Sequence, residues 1–153
     1  MKPIYRLDRV KYKYFDKTDM EDVEERYILG YFSSLNNIKN AIKTYIENGY
    51  KESELSISTF FDSFTYNQKH VYVLSHGYSI YENNKYTDYS YVFQPFSNKN
   101  KCFEMMNNLK KETLYEFNPN RIYDDETMEG FYIATFKIDY LYGIEKTVAK
   151  GRK

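Results

Sequence analysis

The stretch Ile4-Tyr5-Arg6-Leu7 recurs 67 residues later as Val71-Tyr72-Val73-Leu74. Two further blocks recur in the same order: Phe32-Ser33 returns as Phe96-Ser97 at an offset of 64, and residues 55–60 return as 131–136 at an offset of 76. Only the segments between the blocks change length. The three ordered blocks therefore predict a tandem duplication over about residues 3–65 and 69–140.

Each copy shows the same succession of secondary-structure signals. A first strand rich in Tyr, Val, Leu and Ile spans 4–15 in copy one and 70–81 in copy two. A polar loop (16–25 or 82–85), an antiparallel second strand (26–32 or 89–96), a helix and a third strand (55–61 or 131–140) follow. The predicted unit is ββαβ, with one helix laid across a small sheet.

The helix of each copy is indicated by a capping residue and by apolar residues three and four positions apart. Ser33-Ser34 precedes the first helix and Asn48-Gly49 ends it, whereas Ser97-Asn98 precedes a second helix over 99–111 that Asn118-Pro119 must terminate. The first apolar stripe consists of Leu35, Ile38, Ala41, Ile42, Tyr45 and Ile46, and four of its members align with Cys102, Met105, Met106 and Leu109. We expect these stripes to face the sheets.

These signals predict an α+β fold of two ββαβ repeats, at 1–66 and 67–145, followed by a basic tail at 146–153. Each repeat alone has a marginal core. We therefore expect a pseudo-twofold arrangement in which the two antiparallel sheets either join their edges or stack their faces.

Composition narrows the class of protein. The 153 residues include 19 Tyr and 11 Phe, and 22 basic residues balance 22 acidic ones, which excludes a disordered chain. The single cysteine, Cys102, excludes an intrachain disulfide, and no apolar run is long enough for a signal peptide or a membrane span. We expect a cytoplasmic protein of a bacterial or phage-infected bacterial cell, with no membrane partner.

The second copy resembles a family of short, uncharacterised bacterial and phage proteins. The resemblance is carried by Val71-Tyr72-Val73-Leu74-Ser75-His76 at the opening and by Glu129-Gly130-Phe131-Tyr132-Ile133-Ala134-Thr135-Phe136-Lys137-Ile138-Asp139 at the close. The family's middle motif is better kept in copy one, as Leu29-Gly30-Tyr31-Phe32-Ser33-Ser34, and copy one has Arg9 where copy two has His76. The resemblance implies a fold and a repeat unit, and no activity.

No catalytic, cofactor or metal site is predicted. His76 ends the opening motif, but His70, the other histidine, lies about 20 Å away along an extended strand, so we interpret His76 as structural. Cys102 aligns with the apolar Ile38, which indicates a small buried side chain. The acidic segments 16–25 and 124–129 lack the spacing of a calcium loop and are interpreted as solvated loops.

Basic and aromatic residues alternate along the first strand. Arg9, Lys11 and Lys13 project from one face, Tyr12 and Tyr14 fill the intervening positions, and Arg6 points the other way. The predicted binding surface comprises Arg6, Arg9, Lys11, Tyr12, Lys13, Tyr14, His76, Tyr86, Tyr89 and Tyr91.

The surplus of tyrosine favours a non-enzymatic protein-binding module, because tyrosine is enriched in interface cores. The hypothesis is a phage or mobile-element protein that binds and inhibits a larger host protein such as a defence nuclease, in the manner of an anti-CRISPR. One alternative is a protein that binds single-stranded nucleic acid through the aromatic and basic strand faces. Another is a small-ligand sensor with a pocket between the repeats, and a homodimer stays open in each case.

Overall fold

The computed structural model describes residues 2–14, 22–111, 121–122 and 130–143. Its elements are β1 (Lys2–Tyr14), β2 (Asp22–Phe32), α1 (Leu35–Glu47), a 3-10 turn (Glu52–Glu54), β3 (Leu55–Asp62), β4 (His70–Glu82), β5 (Lys85–Phe96), α2 (Lys99–Lys110), β6 (Arg121–Ile122) and β7 (Phe131–Lys137). The chain is thus a mixed α+β protein, as predicted. The acidic segment 124–129, most of the loop 16–25 and the tail 146–153 lie outside the described residues.

Contacts between residues divide the chain into two compact units. Unit 1 joins Met1–Phe61 to Lys137–Lys153, and unit 2 is Asp62–Phe136. These contact units do not follow the repeat boundaries at 66 and 145, which were drawn from sequence recurrence alone. The repeat boundaries remain a prediction.

The sheet of unit 1 has the strand order β2-β1-β3. β1 and β2 are antiparallel, with Tyr5 opposite Phe32 and Tyr14 opposite Asp22. β2 therefore begins four residues before the predicted start at Arg26. The prediction assigned these residues to the loop because of their acidic side chains, but their backbone continues the ladder opposite the end of β1.

Helix α1 begins where the side chain of Ser34 accepts a hydrogen bond of 3.1 Å from the backbone N–H of Asn37. It ends at Asn48, and Gly49 follows with a φ of +91°, a left-handed conformation that glycine adopts without steric penalty. The helix packs on β1 and β2. The resulting core of unit 1 consists of Leu7, Leu29, Phe32, Ile38, Ala41 and Tyr45.

The segment after β7 belongs to unit 1 and lies beside β2. Ile138 forms a parallel bridge with Tyr31, and the carboxylate of Asp139 accepts hydrogen bonds from the backbone N–H and the hydroxyl of Ser33, at 2.9 and 2.7 Å. The predicted third strand of copy two, 131–140, therefore ends early, at Lys137. The chain turns at Asp139, whose φ is +62°.

In the sheet of unit 2, the strand order is β5-β4-β6, and β4 also pairs with β7. β4 and β5 form a hairpin with Asn83 and Asn84 at its turn, both with positive φ (54° and 61°), as a type I′ turn requires. This tight turn extends β5 to Lys85, so the predicted strand start at Tyr89 was wrong. The short strand β6 was not predicted.

Helix α2 is capped in the same way as α1. The side chain of Asn98 accepts from the backbone N–H of Lys101 at 3.1 Å. Asp62 also binds the start of α2. Its carboxylate accepts hydrogen bonds from the backbone N–H of Ser97 at 2.8 Å and from Lys101 Nζ at 2.6 Å. The core of unit 2 consists of Leu74, Phe96, Cys102, Met106 and Phe131.

Candidate protein interface

Arg6, a predicted surface residue, is buried in an ionic cluster of unit 1. Its Nε lies 2.9 Å from Asp8 Oδ2, and Nη1 of Arg26 lies 2.7 Å from the same oxygen. The guanidinium of Arg6 also stacks on the ring of Phe60, 4.9 Å from its centroid. Arg6 therefore neutralises a fully buried carboxylate and does not offer its charge to a ligand in solution.

Tyr31 lies opposite Arg6 in the β1–β2 hairpin and is fully buried. Burial raises the pKa of its phenol to about 12, although the positive charge of Arg6 acts in the opposite direction. The phenol of Tyr31 therefore stays neutral at physiological pH. We interpret Tyr31 as a structural residue beside the ionic cluster and not as a group that transfers protons.

Arg9 is also engaged within unit 1. Its Nε lies 3.1 Å from Glu54 Oε2, and its guanidinium lies over the ring of Tyr50 at 5.4 Å. These contacts connect β1 to the 3-10 turn before β3. Part of the positive charge predicted along β1 is thus neutralised by ion pairs within the protein.

Lys11 lines a cavity of about 590 Å³ in unit 1, together with Val10, Arg26, Ser53, Glu54, Leu55 and Ser56. Arg26 and Glu54 already have partners in Asp8 and Arg9. The lining contains neither His nor Cys.

For Tyr12, Lys13, Tyr14, Tyr86 and Tyr89 the structure describes the backbone alone, and their side chains lie outside its described part. Tyr91 is 62% exposed on β5, with its ring 4.7 Å from that of Phe93. Tyr91 is thus the one member of the predicted surface, among the side chains that are described, that is largely open to solvent.

His76 is buried in the interior of strand β4. Its ring lies 4.4 Å from that of Phe131 and 5.4 Å from that of Tyr78. The strand continues to Glu82 because the hairpin turns at Asn83 and Asn84. This packing agrees with the structural interpretation of His76 and removes it from the candidate surface.

Cys102 is fully buried in the core of unit 2, as its alignment with Ile38 predicted. Burial raises the pKa of its thiol to about 11, against a smaller opposite effect of Lys99. The thiolate is the reactive form of cysteine, so this thiol is inert at neutral pH. Within the described ranges, no three His, Cys, Asp or Glu residues gather as metal ligands.

The open apolar surface of unit 1 lies on one flank of α1. Leu35 is 51% exposed and Ile46 is 40% exposed, with the half-buried Ile42 between them on the same side of the helix. The opposite flank, with Asn37 and Thr44, lines a cavity of about 300 Å³ with Asp139 and Leu141, on the β2 side of the sheet.

The apolar flank of α1 therefore faces β3, because it lies about half a turn around the helix from Asn37 and Thr44 and β3 is at the opposite end of the sheet from β2. Ile42 and Leu55 pack against the same core, which agrees with this orientation.

Strand β3 extends this apolar surface. Its residues alternate in exposure, and Ile57 (45%) and Phe61 (62%) share the face of Leu55. Ile57 and Phe61 therefore present apolar side chains to solvent on this face of β3. We call the surface formed by Leu35, Ile42, Ile46, Ile57 and Phe61 the α1–β3 groove.

The predicted second repeat has lysine at three positions that correspond to residues of this surface. Leu35 and Lys99 each follow the N-cap of their helix, and Ile46 and Lys110 each occupy the twelfth helical position. At the offset of 76, Phe61 corresponds to Lys137. The predicted repeat thus sets lysine against Leu, Ile and Phe at three positions of the α1–β3 groove.

The sequence prediction missed this groove because it treated the α1 stripe as entirely buried. A stripe that includes both Leu35 and Ile46 is wider than the buried row of Ile38, Ala41 and Tyr45. Comparison of the two predicted helices would have revealed the extra width of the first apolar stripe, because copy two has Lys99 and Lys110 where copy one has Leu35 and Ile46.

The chain was compared with protein-family models, with curated proteins and with solved structures, and no match was found. The family resemblance of the opening and closing motifs therefore remains a prediction. None of the helices among the described residues is long and apolar enough to cross a membrane.

Proposed function

We propose that this chain is a non-enzymatic protein-binding module and that the α1–β3 groove is its binding surface. The observation that carries the proposal is the exposure of Leu35, Ile46 and Phe61 at positions where the predicted second repeat has lysine. Contiguous exposed apolar side chains of this kind mark interaction sites in soluble proteins.

The proposal includes a tandem duplication of a ββαβ unit. Its support is the hairpin register: Tyr5 is opposite Phe32 and Tyr72 is opposite Phe96, with an irregularity directly after, between Leu7 and Asp8 or between Val73 and Ser75. These pairs keep the offsets of 67 and 64 that relate the sequence blocks. Capped helices at Ser34 and Asn98 add to this support.

A protein partner suits the groove better than a nucleic acid. Its five residues carry no charge, whereas affinity for nucleic acid depends on contacts between basic side chains and phosphates. Arg6 and Arg9, which were predicted to supply such contacts, are paired with Asp8 and Glu54. The absence of catalysis is part of the proposal, and the inert environment of Cys102 favours it.

The partner class that we propose is a larger host protein whose activity the chain inhibits, such as a defence nuclease. The test is affinity capture from a lysate of the bacterial host with immobilised wild-type protein, Phe61→Lys and Tyr91→Lys. The two variants replace aromatic side chains of equal exposure, 62%, so they change the surface to a similar degree.

We expect a stoichiometric protein that wild type and Tyr91→Lys retain and that Phe61→Lys loses. Loss with Tyr91→Lys and retention with Phe61→Lys would move the binding surface to β5. Recovery of no stoichiometric partner by the wild-type protein would refute the proposed role.

A further inference from the structure

Strand β3 is the end strand of its sheet among the described residues. End strands present unpaired backbone N–H and C=O groups, and proteins usually protect them with lysine, proline or a bulge. The sequence from Leu55 to Phe61, LSISTFF, contains neither a charged residue nor proline. Such an edge is suited to pair with another strand.

We infer that the edge of β3 binds a second copy of this chain, through antiparallel pairing of the two β3 strands about a twofold axis at Ser58, which leaves the α1–β3 groove of each copy to the host protein. The inference goes beyond the proposed function, because it concerns the strand edge and a different partner. A twofold interface uses one patch on both subunits, so that patch must be complementary to itself.

The sequence of β3 meets this requirement. Pairing about Ser58 places Leu55 opposite Phe61 of the second copy and Ile57 opposite its Thr59. On one face of an antiparallel pair, aromatic–aliphatic and β-branched neighbours are favourable. These pairs lie on the groove side of the sheet, where Leu35 and Ile46 of each copy flank them.

Electrostatics does not oppose this register. Like charges directly opposite each other destabilise a strand pair, and residues 55–61 contain none. The flanking acidic residues, Glu54 and Asp62, come opposite each other, but each already has an internal partner, Arg9 at 3.1 Å and Lys101 at 2.6 Å. The formal net charge of the chain is zero, so the copies do not repel each other overall.

The first test measures mass by sedimentation velocity over a dilution series. We expect wild type and Tyr91→Lys to sediment as dimers that dissociate on dilution, and Phe61→Lys to sediment as a monomer throughout. Circular dichroism and thermal unfolding of Phe61→Lys establish that the monomer is folded. A wild-type protein that is monomeric at the highest concentration would overturn the inference.

The second test fixes the register by disulfide cross-linking. Two cysteines at position 58 would face each other across the axis with their Cβ atoms about 5 Å apart, so that a small approach of the strands brings them to the roughly 4 Å of a disulfide. Under mild oxidation we expect Ser58→Cys to form a covalent dimer at least tenfold faster than Thr59→Cys, whose opposite residue is Ile57. The buried Cys102 does not interfere.

Equal or slower cross-linking of Ser58→Cys would overturn the pairing about Ser58, even where wild type is a dimer. The failure of this inference is distinct from the failure of the proposed function. A monomeric wild type that still captures a host protein through Phe61 would refute self-association alone, whereas a dimer that captures nothing would refute the host-partner role alone.

Discussion

At the scale of single residues, internal ion pairs account for charges that the sequence presents as a binding surface. Arg6 and Arg26 share Asp8, Arg9 pairs with Glu54, and Lys101 pairs with Asp62. Sequence periodicity predicts that Arg6 and Arg9 lie on opposite faces of β1. It could not identify their partners, because Arg26 and Glu54 come from other elements.

Asp62 is a carboxylate that we expect to stabilise the fold through its hydrogen bonds with Ser97 and Lys101. Burial alone would raise its pKa, but hydrogen bonds from Lys101 and from the backbone N–H of Ser97 outweigh burial and lower it to about 2. A carboxyl group whose pKa is lower in the folded state contributes stability above its unfolded pKa, near 4, and loses that contribution as pH falls toward 2.

We therefore expect Asp62→Asn to reduce the free energy of unfolding by about 2 kcal/mol at pH 7. The difference from wild type should vanish as pH is lowered from about 4 to about 2. Urea denaturation at a series of pH values measures this difference. Glu104→Gln, which removes an exposed carboxylate from α2, is the control, and an equal loss in both variants would contradict the assignment to Asp62.

Gly30 is the residue at which a single methyl group should be most damaging. A Cβ at this position would overlap the carbonyl oxygen of Tyr140, in the segment that hydrogen-bonds along β2. We expect Gly30→Ala to lower the free energy of unfolding by about 2 kcal/mol or more, because the clashing oxygen belongs to the backbone and cannot rotate away as a side chain can. Thermal unfolding measures the loss, and a variant as stable as wild type would show that Tyr140 is not held there.

At the scale of elements, the order of strands and helices was predictable and their ends were less so. The capping residues Ser34 and Asn98 marked both helix starts correctly. The acidic start of β2 and the polar turn at Asn83-Asn84 were predicted as longer loops, because side-chain polarity does not report the backbone ladder that continues through them. β6 has two residues, too few for a periodic signal.

The two helix caps provide a prediction at this scale. Ser34 and Asn98 each accept a backbone hydrogen bond of 3.1 Å, so Ser34→Ala and Asn98→Ala should each cost about 1 kcal/mol of stability. Asn36→Ala, an exposed change within the first turn of α1, is the control and should leave stability within about 0.5 kcal/mol. Denaturant titration of the three variants checks this, and unequal effects of the two caps would contradict their equivalence.

At the scale of the whole molecule, the sequence predicted an α+β protein, but two of the side chains that it assigned to a binding surface, His76 and Arg6, are buried. His76 and Arg6 lie on strands β4 and β1, which carry buried residues on both faces, and periodicity along one strand cannot show this. The exposure of Leu35, Ile46 and Phe61 depends on the strand order β2-β1-β3 and on the position of α1 over β1 and β2. Strand order and helix position belong to the tertiary structure, and the residue pattern of a single element does not determine them.

The central claim is that the apolar side chains of the α1–β3 groove serve binding and not folding. The most direct measurement is the free energy of unfolding of Phe61→Lys in dilute solution, with Phe60→Lys as its neighbour control. Phe61 is exposed, so the account predicts a change within about 0.5 kcal/mol, whereas Phe60, which stacks under Arg6, should lose several-fold more stability. A loss of about 3 kcal/mol in Phe61→Lys, the size expected for a core aromatic residue, would contradict the claim.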